Sequence, residues 1–270
     1  MYAALSPAHS QLRLKILSEA TKHARTTGFT NATLAASLKS IEVEDISDRT
    51  LSRIFGRGFP IALVEHIARS ANLHVHRELE AAFSKDAIIR SIDANVNAFV
   101  HNQLLLPTEK NVAEKAILSK FELLAPLAAH WPSAVALEYL PSNLPYTAIN
   151  LAEFVDTTVY YMERIVTLGE LLEPARRILQ SKAMASCIPH GDAGSNGVSQ
   201  TSAFLNNFLK GISLSSGPYA DHSTFNFGWY CRRAQVALLY GAAATSFLGD
   251  ASRNAADTRC FTKAAIETVF

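Results

Sequence analysis

Residues 145–166 read PYTAINLAEFVDTTVYYMERIV, and this run decides the fold. Ala148, Ala152, Val155, Val159, Met162 and Val166 recur at alternating spacings of four and three, which sets them on one seam of an α-helix. Proline is tolerated in a first helical turn, so the helix is expected to start at Pro145 and to run to about Leu172. A second apolar helix follows the segment Phe225-Asn226-Phe227-Gly228-Trp229-Tyr230-Cys231-Arg232-Arg233-Ala234. There Trp229, Val236, Tyr240, Ala243 and Phe247 share one stripe. Arg232 and Arg233 stand beside Trp229 and Tyr230 with few acidic neighbours in sequence. That composition suits a protein contact patch, and it equally suits the lid of a core with solvated arginines.

The rest of the chain reads as helices too. Leu12, Ile16, Ala20 and His23 begin a stripe that closes at Gly28, a left-handed cap candidate. Asn31 to Leu38 follows from the cap candidate Thr30, and Ser47 to Phe55 from Ser47. Pro60 opens a longer helix toward Phe83, and further helices are expected at Ile88 to Leu105, Val112 to Ala129 and Ser133 to Glu138. Residues 189–202 are small, polar and glycine-rich, the composition of a mobile surface loop, and Phe204, Leu205, Phe208 and Leu209 form an apolar patch able to dock beyond it. No run of strand length alternates at period two beside hairpin turn chemistry, so the expected class is all-α.

Composition narrows the function. A 270-residue chain with 49% hydrophobic and only 18% charged residues can bury a sizeable core and has apolar area to hide or share. A net charge of +1 offers no general attraction to polyanions. Three widely spaced cysteines, Cys187, Cys231 and Cys260, are not a disulfide framework, and no spacing suits zinc. No apolar run approaches the roughly 20 residues of a membrane span, so any membrane contact is expected to be peripheral. The first ten residues lack arginine and no leader is read there.

No catalytic residue, cofactor or metal site is read. Phosphate-loop, dinucleotide-binding, zinc-protease and serine-hydrolase motifs are absent. His74 and His76, two apart on a helix, point nearly opposite ways and are read as solvated. Cys187 and His190 border the expected loop, which would not hold a catalytic pair in register. The acidic residues lack the Glu-x-x-His spacing of carboxylate metal bundles.

The first seventy residues resemble the helix-turn-helix domain of TetR-type regulators through Ile16-Leu17-x-x-Ala20, Gly28-Phe29-Thr30, Leu34-Ala35, Leu51-x-x-Ile54-Phe55 and the helix opened by Pro60. The approach to the third helix, Glu42-Val43-Glu44-Asp45-Ile46-Ser47-Asp48, carries carboxylates that repel phosphates, so nucleic-acid binding is not expected. Leu123-Leu124-Ala125-Pro126, His130-Trp131-Pro132-Ser133-Ala134, Leu140-Pro141-Ser142-Asn143-Leu144-Pro145, Val155-Asp156 and Trp229-Tyr230-x-Arg232-Arg233 together resemble the Coq-nine family of ubiquinone-biosynthesis accessory proteins.

That resemblance implies an all-α, TetR-like homodimer with a degenerate helix-turn-helix domain at 1–60 and a helical lipid-binding domain at 61–270. It implies no enzyme activity, an isoprenoid lipid or quinone intermediate as ligand, and the demethoxyubiquinone hydroxylase as partner, on the matrix side of the mitochondrial inner membrane. Leu140, Ala152, Val155, Val159, Met162, Val236 and Tyr240 are the expected lipid-pocket residues, and Trp229, Tyr230, Arg232 and Arg233 the expected partner-facing patch. Some sixty residues at about 162–220 have no counterpart in the family and stand as an insertion. A ligand-responsive TetR-type transcription regulator is the alternative.

Overall fold

A computed structural model describes residues 7–43, 46–186, 197–209 and 227–270. Among them every regular element is helical and no strand occurs, so the class is all-α. The chain forms α1 (Pro7–Thr27), α2 (Asn31–Ser40), α3 (Asp48–Ile54), α4 (Phe59–Phe83), α5 (Lys85–Ala94), α6 (Val96–Val100), α7 (Glu109–Leu124), α8 (Trp131–Glu138), α9 (Leu144–Ser186), α10 (Gly197–Phe208), α11 (Phe227–Gly249) and α12 (Ala256–Val269). Two compact units result: Met1–His74 with Leu118–Phe154 and Tyr240–Phe261, and Val75–Ile117 with Val155–Leu239 and Thr262–Phe270.

In the first unit α1 packs against α2 and α3. Ile16, Leu17, Ala20 and Ala24 bury the α1 stripe, and Phe55 meets Phe59 edge to face at 5.4 Å. Thr33 and Ser37 are buried inside α2 because their hydroxyls find carbonyls locally: Thr33 donates to Gly28 and Ser37 to Thr33. Ser47 caps α3 by accepting from the Thr50 amide. Thr30 precedes α2 in extended conformation without a side-chain cap bond; its hydroxyl instead donates to the Thr27 carbonyl. Asp250 ties the start of α12, accepting from Ser252 and from both the amide and hydroxyl of Thr258.

Gly28 ends α1 at φ +67, and a Cβ there would stand 3.0 Å from Nδ1 of His130. Gly28→Ala is therefore expected to lower the unfolding free energy by about 1–2 kcal/mol through backbone strain and crowding together. A urea midpoint unchanged from the native chain would refute this account of the turn.

The second unit buries Val75, Leu79 and Phe83 of α4, the Ile88, Ile89 and Ile92 face of α5, and Val112, Ala113, Ala116 and Ile117 of α7. One helix expected at Ile88 to Leu105 is two. Asn95 leaves helical conformation at φ −134, its side-chain Nδ2 donates to the Ser91 carbonyl, and Asn102 stops α6 at φ 57. Asparagine competes with the helix for backbone partners, and both breaks fall on one. The helix expected to reach Ala129 stops at Leu124 and tightens into a 3-10 turn, Ala125–His130, because Pro126 has no N–H to continue the ladder.

α9 continues past Leu172, through Pro174, to Ser186. An interior proline costs about 3 kcal/mol. Burial of Leu168, Leu172 and Ala175 offsets that cost, with Arg176 held by Glu173 and Asn102. The start of the expected insertion is thus packed helix. Its seam also differs from the sequence reading: Ala148, Ala152 and Val166 are exposed, while Phe154, Thr158, Tyr161, Ile165 and Leu168 are buried with Val155, Val159 and Met162. A four-three repeat drifts around a straight 3.6-residue helix, so its two ends rotate away from the core.

The loop expected at 189–202 is helical from Gly197, where α10 begins; residues 189–196 lie outside the described residues. α10 packs on α5, Leu205 and Leu209 are buried, and the Lys85 ammonium donates to the Leu209 carbonyl at 3.3 Å. Apolar docking outweighs the poor helix propensity of this stretch.

Candidate functional site

The first turns of α11 gather Trp229, Tyr230, Arg232 and Arg233 in the second unit. The Trp229 and Tyr230 rings meet edge to face at 4.7 Å, and the Arg233 guanidinium lies 3.4 Å over the Trp229 ring. Arg233 is only 9% exposed. Its Nε donates to Asp156 Oδ1 of α9 at 2.7 Å, Glu163 stands 3.8 Å from Nη1, and the Trp229 carbonyl accepts a further bond. Burial raises the Glu163 carboxyl above its usual range, Arg233 pulls it back and Asp156 pushes it further up. Arg232 pairs with Glu109 of α7.

Both arginines thus have carboxylates, though the local sequence has almost none. Asp156 is 77 residues away from Arg233, and a scan for neighbouring acids does not reach it. Arg233 thus stacks on Trp229 while paired to Asp156, and Tyr230 beside them is 52% exposed.

The expected pocket residues divide by unit. Val155, Val159 and Met162 of α9 and Val236 of α11 are buried in the second unit. In the first unit Leu140 is 48% exposed, Ala152 is exposed and Tyr240 is half-buried. Tyr240 stacks on Phe121 at 5.9 Å and meets Phe154 at 4.8 Å. None of the seven lines either of the two grooves that share Arg13, Ala62 and Glu65.

One chemically unusual residue beside Tyr240 went unread in the sequence. The Lys120 ammonium is buried between the Phe154 and Tyr240 rings, 4.2 and 4.5 Å from their centroids, and donates to Asn72 Oδ1 at 2.9 Å. Burial pushes Lys120 down to about 7, with Glu138 and Glu153 pulling it up. Burial likewise pushes Glu138 up to about 7, opposed by Lys120. Burial raises Tyr240 well above its ordinary value, with Glu138 and Tyr139 adding to the effect. The available signal was positional, since Lys120 follows Ala113, Ala116 and Ile117 at three and four residue steps on the apolar stripe of α7.

His76, read as solvated, is exposed but also meets the Tyr161 hydroxyl at 3.3 Å, and that hydroxyl donates to Glu80 at 2.6 Å. Cys231 and Cys260 are free thiols, and Cys187 lies outside the described residues. Among the described residues no helix is long and apolar enough to cross a membrane.

No curated protein matches the chain by sequence. Residues 218–270, which carry α11, α12 and the whole Trp229 to Arg233 patch, match the COQ9 family.

Proposed function

We propose that the chain, whose residues 218–270 match the COQ9 family, is a member of that family and a non-catalytic accessory protein of ubiquinone biosynthesis. In this reading it binds an isoprenoid quinone precursor and presents it to the demethoxyubiquinone hydroxylase. The observation that carries the reading is coincidence: the family match and the aromatic, arginine-backed patch occupy the same residues. In this reading Tyr230 and Trp229 are the contact side chains, and Arg233, paired to Asp156, supports the Trp229 ring. A preformed patch loses little entropy on docking, which favours tight capture.

The apolar helix faces at Val155, Val159, Met162 and Val236 belong to the ligand side of the same reading. Each methylene of a polyprenyl tail moved out of water contributes about 0.8 kcal/mol, so an apolar helical wall is a sufficient driving force. A TetR-like layout with domains at 1–60 and 61–270, a homodimer, and peripheral contact with the matrix side of the mitochondrial inner membrane complete the proposal.

Mass spectrometry of organic extracts from the purified protein is expected to find a prenylated lipid, and immobilised protein is expected to capture the hydroxylase. Tyr230→Ala should weaken capture by on the order of 2 kcal/mol, about thirtyfold, while leaving the circular dichroism unchanged. Absence of prenylated lipid together with undiminished capture by Tyr230→Ala would overturn the reading.

A further inference from the structure

Two solvent-open grooves in the first unit meet at Arg13, Ala62 and Glu65. The larger, about 410 Å³, lies between α1 and α4 and is faced by Arg13, Leu14, His66, Arg69 and Leu73. The smaller, about 240 Å³, passes Arg53 at the end of α3 and Arg57 in the turn before α4, and reaches Tyr146. Four arginines and a histidine therefore face this cleft, against the single carboxylate of Glu65.

That carboxylate is already engaged. Arg57 Nη2 donates to Glu65 at 2.5 Å, its Nη1 donates to Asn143 Oδ1 at 3.1 Å, and its guanidinium lies 3.6 Å over the Tyr146 ring. Among the described residues no carboxylate oxygen comes within 4.0 Å of Arg13, Arg53 or Arg69. The Nε of Arg13 is buried without a hydrogen-bond acceptor. Leaving a charged donor so is unfavourable, and an oxyanion is the acceptor that fits a guanidinium fork. Burial lowers Arg13, with Arg69 and Arg57 lowering it further against the pull of Glu65, and burial, Arg13 and Arg69 lower His66 in that order. An anion in the groove would relieve each repulsion at once.

The rim beside the arginines is apolar. Leu14 and Leu73 are each 58% exposed, with Leu17 and Ala62 buried beneath them. Two exposed leucines flanking two arginines that form no salt bridge among the described residues match a ligand that is charged at one end and greasy at the other.

We propose that this groove binds a monomeric amphipathic oxyanion, a phosphate ester on an alkyl chain, with its head on Arg13 and Arg69 and its chain between Leu14 and Leu73. The site lies in the first unit and does not depend on the role assigned to α11.

Calorimetry on the full chain tests this with dihexanoyl phosphatidic acid, dihexanoyl phosphatidylcholine and inorganic phosphate, each below micellar concentration. Phosphatidic acid is expected to bind at least about tenfold more tightly than the other two, a difference set by head charge and chain together. Arg13→Gln with Arg69→Gln should lower its affinity about tenfold or more, and Arg25→Gln, on the exposed end of α1, should not change it. Should the double variant fail to fold, Arg69→Gln alone and Leu73→Asn decide, since both side chains are exposed. Phosphatidic acid binding no tighter than phosphatidylcholine, or equal to free phosphate, overturns the proposal. So does native affinity in both exposed variants, or displacement of the lipid by a short DNA duplex at equal charge concentration.

Discussion

The unfolding free energy of this protein will pass through a trough near neutral pH, and Lys120→Met will remove its alkaline side. The folded pKa of Lys120 is depressed to about 7 from 10.5. The folded state therefore sheds a proton that the unfolded chain keeps, and stability rises with pH between about 7 and 10.5. Glu138 acts in the opposite sense, because its folded pKa is raised to about 7 from 4.5. Its contribution is complete below about 4.5 and is lost as pH climbs to about 7.

At about 1.4 kcal/mol per pKa unit each limb amounts to a few kcal/mol. Methionine fills the volume between the Phe154 and Tyr240 rings without a group that titrates, so Lys120→Met should lose the rise in stability above neutral pH. Glu138→Gln should flatten the acid limb. Urea titrations across pH 4.5 to 10 are the measurement. A flat native profile, or one whose rise above neutrality survives in Lys120→Met, would remove the physical basis of both predictions.

Arg233→Leu will be the most damaging single change on α11. It removes the guanidinium that both Asp156 and Glu163 face and takes away the plane on which Trp229 rests. Breaking a buried ion pair by removing one partner costs about 3–5 kcal/mol, and the partial exposure of Asp156 sets the expectation at the lower end, about 3 kcal/mol. Arg233→Lys keeps the charge but not the planar stack, and should fall between. Pairing Arg233→Leu with Asp156→Leu should recover part of the loss, since both members of the ion pair are then replaced together. Chemical denaturation reads all three; a single variant within about 0.5 kcal/mol of the native chain would show that the pair contributes nothing net.

Local signals accounted for much of the helical architecture. Gly28 does end α1 in the left-handed region, Ser47 does cap α3, and the Trp229 to Phe247 stripe does lie along α11 with Val236, Ala243 and Phe247 buried. The misjudged bounds fell where a single residue outweighed periodicity. Asn95 broke a helix whose apolar pattern continued, while Pro174 failed to break one whose apolar face stayed buried.

The candidate site was legible as an inventory of side chains but not as an arrangement. Arg233 sits four residues beyond Trp229, which any helical wheel brings close, yet whether it faced outward or into an ion pair depended on Asp156. Lys120 could be assigned to the apolar stripe of α7, whereas its aromatic neighbours Phe154 and Tyr240 come from α9 and α11. Arg13 and Arg69 lie 56 positions apart on α1 and α4, and only their meeting at one groove concentrates their charge there.

What the sequence by itself determined was helix: the period of its apolar residues, the caps at chain-local positions, and a signature at 218–270 that a family match can read. These depend on residues within a turn or two of one another, where backbone geometry fixes who meets whom. The tertiary structure alone decided which charges are neutralised and which are left over, because a carboxylate acts on an arginine through distance in space and burial from water, and neither scales with separation along the chain.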